Sequence, residues 1–266
     1  MVAQLRVEVS GPVATVVIDN PGRRNSLTVQ MWQRVPALFA ELAADNAVLV
    51  VVLRGANGDF SAGADIRDLE RIFLDEPATG GDAGGLITAA EEAIASFPKP
   101  TIAAIEGNCI GGGWELAAAC DIRFAADSAT FGVTPARIGI IYPLSGIRRL
   151  VDIAGPAAAR YLLYSGDFVD AAAALQLGLL SRVVAQSALD AEVAALATRL
   201  AGHSQLSIQA TKELIDTIVS GDEDALAQAA AAWRAELAAS DEPRIGREAF
   251  LAREQPLFTW RGRAIE

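Results

Sequence analysis

Three consecutive glycines open directly onto a run of helix-forming residues in Ile110-Gly111-Gly112-Gly113-Trp114-Glu115-Leu116-Ala117-Ala118-Ala119-Cys120-Asp121. Glycine lets a backbone turn tightly and lets a ligand or a second backbone approach its amides. The amides at a helix start, with the positive end of the dipole, suit a developing negative oxygen. Gly111 and Gly112 therefore read as ligand-facing, and the Gly112 N–H reads as a donor to an oxyanion. Glu115, in the first turn, is placed to move a proton beside that oxygen. Upstream, Val48-Leu49-Val50-Val51-Val52-Leu53 reads as a strand buried on both faces. It runs into Arg54-Gly55 and then Asp59-Phe60-Ser61-Ala62-Gly63-Ala64-Asp65-Ile66. Open α/β folds place ligands where a strand ends in such a turn before a helix. The N–H of Ala64 is the expected second donor, so that two amides converge on one oxygen.

Composition narrows the class. A chain of 266 residues can bury one large core with a helical extension. Its 52 % apolar content favours a well-packed, oligomeric protein. A net charge of −11 argues against a nucleic-acid partner, which needs clustered Lys and Arg. Cys109 and Cys120 lack metal-ligand spacing, so the reading is a reduced, cytoplasmic protein rather than a disulfide scaffold. The start, Met1 to Glu8, carries no long apolar region, so no signal peptide is expected, and no run approaches the ~20 residues of a membrane span. The single histidine, His203, lies in the turn-like Ala201-Gly202-His203-Ser204, which speaks against a Ser-His-Asp triad. No metal cluster, phosphate-binding loop or dinucleotide fingerprint is present, so no cofactor is expected.

Leu5–Val9 and Val13–Ile18 alternate around Ser10-Gly11-Pro12 as a hairpin. A helix is expected over 28–43, with Met31, Val35, Leu38 and Leu42 on its apolar face. Next come strand 48–53, helices near 66–73 and 85–97, strand 101–105, helix 113–119 and strand 121–125. From 143 the pattern is mostly helical, with helices at 155–163 and 170–178, the second capped by Asp170. A strand at 181–184 precedes helices at 188–201, 205–219, 223–239 and 242–252. Gly80-Gly81-Asp82-Ala83-Gly84-Gly85 reads as a solvated loop, with a lid over the site as its functional alternative.

Several ordered motifs now stand together. Asn25-Ser26-Leu27 follows the hairpin, and Ser61-Ala62-Gly63-Ala64-Asp65-Ile66 follows the first buried strand. Then come Pro98-Lys99-Pro100-Thr101-Ile102-Ala103-Ala104-Ile105-Glu106-Gly107, Gly111-Gly112-Gly113-Trp114-Glu115-Leu116 and Cys120-Asp121. Near the end stand Asp241-Glu242, Gly246, Glu248-Ala249-Phe250-Leu251 and Pro256. In this order the chain strongly resembles the enoyl-CoA hydratase/isomerase, or crotonase, family over nearly its whole length. The resemblance implies an α/β fold, the crotonase-like (ClpP/crotonase) spiral of ββα units, with a C-terminal helical trimerisation region. The expected division is a core over 1–200 and helices over 201–266, assembled as a homotrimer or a hexamer made of two trimers. The implied substrate is an acyl-CoA, whose CoA is part of the substrate rather than a cofactor. By resemblance the loop Arg23, Arg24, Asn25, Ser26, Leu27 covers the nucleotide and pantetheine, and Arg253 reaches a phosphate. Ala62, Asp65 and Ile66 join the substrate-binding set, Asp65 by holding the oxyanion turn.

One departure bears on the chemistry. Hydratases of the family carry a second glutamate in Phe-Gly-x-Pro-Glu-x-x-x-Gly, where this chain has Phe131-Gly132-Val133-Thr134-Pro135-Ala136-Arg137-Ile138-Gly139. Neither Pro135 nor Ala136 can act as an acid or base. The following segment is also altered, to Tyr142-Pro143-Leu144-Ser145-Gly146. Thr134-Pro135 with Tyr142 resembles the methylmalonyl-CoA decarboxylase branch, in which Tyr142 would orient a leaving carboxylate. The chain departs from that branch, which has His where this chain has Ala64. Three expectations follow: a single-glutamate enzyme (Glu115, with Tyr142 as second polar group) working through a thioester enolate, an acyl-CoA decarboxylase, and a non-catalytic acyl-CoA-binding or scaffolding protein.

Overall fold

The computed structural model describes residues 2–73 and 85–263. Strands β1 (Gln4–Ser10) and β2 (Val13–Asp19) form the expected antiparallel hairpin, paired Gln4 to Asp19 through Ser10 to Val13. Helix α1 (Val29–Ala44) returns the chain so that β3 (Val50–Gly55) lies parallel to β2. The Thr28 hydroxyl accepts the Met31 N–H at the start of α1, as an N-cap should. At its far end the buried Lys99 ammonium donates to the carbonyls of Leu42 and Asp45, at 3.0 and 2.7 Å, satisfying groups that a helix end leaves unpaired.

Short α2 (Leu69–Phe73) and α3 (Gly85–Ala95) lead to β4 (Thr101–Ile105). Then come β5 (Asn108–Ile110), α4 (Gly112–Ala119), β6 (Ile122–Ala126) and β7 (Thr130–Gly132). The one-turn α5 (Pro135–Ile138) is followed by α6 (Leu144–Ser165), which is broken at Gly155 (φ 75°, ψ 164°) into two helices. Next are β8 (Phe168–Asp170), α7 (Ala171–Gln176) and β9 (Arg182–Val184). Helices α8 (Leu189–Gly202), α9 (Gln205–Ser220), α10 (Glu223–Ala239) and α11 (Glu242–Ala252) complete the order.

The main sheet runs β1-β2-β3-β4-β6-β9, parallel from β2 onward, beside a small sheet β5-β7-β8. Side chains alternate across a strand. Val51 and Leu53 thus join the large core with α1, α3 and α4, while Val50 and Val52 pack with Leu189, Val193 and Ala197 of α8. A sheet covered on both faces explains the unbroken apolar run that the sequence shows. Every residue of α4 is buried, which matches a helix apolar on all sides except Glu115. Helix α9 packs against α10 and is tied to the core where Lys212 pairs with Asp121 at 2.9 Å. Among the described residues no helix is long and apolar enough to cross a membrane.

Several expected boundaries move. The strand expected at 48–53 pairs as Val50–Gly55, because β2 fixes its register from Val13. The helix near 66–73 begins only at Leu69, since Asp65 and Asp68 hold the preceding turn by accepting the N–H groups of Arg67 and Val29. Strands β5, β7 and β8 add to the expected elements, and the helical pattern from 143 resolves into one helix on each side of Gly155. Of the glycine-rich segment, residues 80–84 lie outside the described residues, and Gly85 opens α3.

Candidate active site

The turn after β3 is laced to the loop after β2. Leu27 N–H donates to Gly63 O and Asp65 N–H donates to Leu27 O, both at 2.8 Å, forming a parallel bridge between Leu27 and Ala64. In such a bridge the partner's bonds fall on the peptides flanking Ala64, so the Ala64 N–H points away from Leu27. Ser61 fixes the turn from inside, its hydroxyl donating to Asn25 O (2.8 Å) and accepting from Gly63 N–H (3.1 Å). Gly63 has φ +92°, and a β-carbon there would lie 2.7 Å from Ile110 O and 3.0 Å from Gly112 N. A β-carbon on Gly112 would lie 3.5 Å from Ala64 N and 2.8 Å from the Trp32 ring. Only glycines let the two segments approach this closely, and the approach brings the amides of Ala64 and Gly112 together. Gly112 is the first residue of α4, where helix amides have no partner within the helix.

Gly111, at φ 54°, turns β5 into α4. Its N–H donates to Gly132 O at 2.8 Å, and its carbonyl accepts the Glu115 N–H at 3.1 Å. Glu115 is 1 % exposed and packs against Gly146, where a β-carbon would sit 2.8 Å from Glu115 Oε1 and 2.9 Å from the Tyr142 ring. The buried Tyr142 hydroxyl donates to Gly111 O at 3.1 Å. Burial raises the Tyr142 phenol well above its ordinary range, and the charges of Glu115 and Glu91 and a side-chain hydrogen bond with Glu115 push the same way.

Other expected site residues fall into place variously. Asn25 is buried and braces its loop, its amide donating to Ala56 O and Asp59 O at 2.7 Å, while Ser26 and Leu27 also face inward. Arg23 and Arg24 stand exposed on the same loop, and Ala62 N–H donates to Arg24 O. Asp65 is buried and accepts from Arg67 Nε at 2.9 Å, whose hydrogen bonds hold its carboxyl below the usual aspartate range against the effect of burial. Ile66 is 71 % exposed beside it. Thr134 precedes α5 and Pro135 is buried at its first position, while Ala136 is exposed. Arg253 ends α11 in a left-handed conformation, and His203 ends α8 at the surface.

Sequence reasoning missed another buried carboxylate. Glu91 of α3 accepts from Ser145 Oγ (2.8 Å) and Arg149 Nε (3.1 Å), both on the opening turns of α6. Burial pushes its carboxyl up, opposed by Arg149 and Ser145. The signal was present, since Glu91 falls on the stripe of Ile87, Ala90 and Ile94. A cavity of about 1180 Å³ between α3, the end of α4, α6 and α9 includes Ser145 and Arg149 but none of Ala64, Gly112, Glu115 or Tyr142. Among the described residues, no cluster of three His, Cys, Asp or Glu side chains could hold a metal.

Residues 8–261 match the family model described as enoyl-CoA hydratase/isomerase, and the chain belongs to that family, with its crotonase fold. A solved enoyl-CoA hydratase/isomerase family member is 40 % identical over 98 % of both chains, with a TM-score of 0.92. An enoyl-CoA hydratase/carnithine racemase from Magnetospirillum magneticum is 33 % identical over 96 % of this chain and 95 % of that one, with a TM-score of 0.87. A Thermus thermophilus protein provisionally named an enoyl-CoA hydratase is 35 % identical, covering 93 % of this chain and 98 % of its own.

Proposed function

We propose that this protein is an enzyme acting on acyl-CoA thioesters through an enolate, with Glu115 as its one acid/base. The observation that carries the reading is the close approach of the Ala64 and Gly112 amides beside the buried Glu115. Two such donors stabilise an oxyanion by roughly 3–4 kcal/mol each. Hydration divides its work between a base on the water and an acid for the α-carbon. With Pro135 and Ala136 in place of a second glutamate, the site suits double-bond isomerisation better, because one carboxylate both removes and returns the proton. The decarboxylase alternative draws no support from Tyr142, whose hydroxyl donates to the wall of the site at Gly111 O. Arg23 and Arg24 offer guanidinium partners to CoA phosphates at the loop rim, with Arg253 a further candidate. Exposed Ile215, Ile218, Phe250 and Leu251 on α9 and α11 offer an apolar surface for assembly, and the family resemblance supports a trimer or a pair of trimers.

The test is deuterium exchange at the α-carbon. A saturated acyl-CoA and a β,γ-enoyl-CoA are incubated with the protein in D2O and read by mass. Wild type is expected to exchange the α-proton and shift the double bond, and Glu115→Gln to lose roughly 10²–10⁴-fold of both rates. Binding without exchange in the wild type would leave the non-catalytic alternative standing.

A further inference from the structure

The carbonyl of Gly111 and the N–H of Gly112 belong to one peptide group. The carbonyl oxygen takes two donors, the Tyr142 hydroxyl and the Glu115 N–H, each at 3.1 Å. The Glu115 carboxylate lies against the Tyr142 ring, both within 2.9 Å of where a Gly146 β-carbon would sit, and its charge and a side-chain hydrogen bond raise the phenol. A phenol has one proton and can also accept, so its two neighbours compete for that proton. With Glu115 ionised, the Tyr142 proton is drawn to the carboxylate and Gly111 O keeps only the Glu115 N–H. With Glu115 protonated, the acid donates to the Tyr142 oxygen and Tyr142 donates on to Gly111 O. The second arrangement is a continuous chain of hydrogen bonds ending on the peptide whose N–H faces the oxyanion position, and such chains polarise their members.

We infer that Tyr142 is a positioning residue that couples the protonation of Glu115 to the donor strength of the Gly112 amide. The inference rests on the enolate reading for its use in turnover. When Glu115 takes the α-proton, negative charge appears on the thioester oxygen, and at that moment the relay strengthens a donor to it. No proton leaves the relay: each hydroxyl hydrogen stays on its own oxygen while the bonds reorient.

The coupling is readable without substrate. In protein labelled with 13C-carbonyl and 15N glycine only, the four Gly–Gly peptides, 80–81, 84–85, 111–112 and 112–113, alone give carbonyl–nitrogen correlations. In the Glu115→Gln protein, Tyr142→Phe should move the 111–112 correlation upfield in nitrogen, with a smaller change in 112–113. Glu115→Gln, whose neutral amide can donate to Tyr142 as the acid would, should move it downfield. In the double variant the Glu115→Gln shift should vanish. A Glu115→Gln shift of equal size with and without the Tyr142 hydroxyl would overturn the inference, as would a correlation of the Glu115→Gln protein that Tyr142→Phe leaves unmoved. In turnover, Tyr142→Phe should lower kcat roughly two- to eightfold with KM little changed. That range follows if a relay strengthens one donor by about 10–30 % and the donor itself contributes about 10²–10³-fold. Failure of the enolate reading shows separately, as absence of α-proton exchange in the wild type, while the nuclear magnetic resonance shifts still decide the coupling.

Discussion

Gly146→Ala separates stability from chemistry at one position. Gly146 lies in the first turn of α6, outside the left-handed region, so alanine suits the backbone and gains roughly 1 kcal/mol of helix propensity. Its β-carbon, however, would meet Glu115 Oε1 at 2.8 Å and Tyr142 Cε1 at 2.9 Å. To regain an ordinary contact of 3.4 Å the carboxylate must retreat by about 0.6 Å, and the tyrosine ring must give as well. Overpacking of this kind costs roughly 1–3 kcal/mol, so the net change in stability lies near 0–2 kcal/mol of loss. Misplacing a reacting group by about 1 Å costs on the order of 10²-fold, and the smaller displacement here predicts a tenfold to hundredfold loss of α-proton exchange. The assay pairs thermal unfolding with exchange of an acyl-CoA in D2O. A melting temperature within about 5 °C of wild type, with exchange reduced by at least tenfold, is expected. Full exchange at unchanged stability would refute the placement of Glu115 as the acid/base.

Gly63→Ala combines a disfavoured left-handed conformation with a β-carbon 2.7 Å from Ile110 O, and should cost at least ~2 kcal/mol and widen the amide pair. Urea titration beside oxyanion-analogue affinity reads both effects. Asp65 has a lowered pKa in the folded chain, so its stabilisation is present above the unfolded value near 3.9 and fades as pH falls through the folded value. Asp65→Asn should therefore lower the melting temperature at pH 7 and match wild type more closely as the pH drops below about 4; an equal deficit at both pH values would contradict this. Burial pushes the Cys120 thiol up to about 12 and the Cys109 thiol well above its ordinary value. Both should resist thiol reagents at pH 8 until the protein is unfolded, and rapid labelling of the native protein would disprove their burial.

The elements most legible in the sequence are those whose pattern is long compared with its period. The stripe of Met31, Val35, Leu38 and Leu42 specifies α1 straight through Pro36, because burial of that face outweighs one lost backbone bond. Strand β4 stands at the expected Thr101–Ile105, and α10 and α11 at the expected limits. The three-residue strands β5, β7 and β8 are too short for an alternation to register, and they are defined by pairing with one another across the small sheet. Glu91 was hidden for a related reason: a carboxylate on an apolar stripe acquires meaning only when Arg149 and Ser145 arrive from more than fifty residues away.

The candidate site divides along the same line. Local chemistry determined the glycines, the helix start and the first-turn Glu115, since turn geometry and helix polarity are properties of adjacent residues. Tertiary structure alone decided that Gly63 and Gly112 face each other, that Gly146 leaves room for the Glu115 carboxylate, and that Tyr142 turns its hydroxyl onto Gly111 O. Those are contacts across tens of residues, fixed by strand register and close packing. A sequence names the groups that can react, and packing sets the distances at which they do.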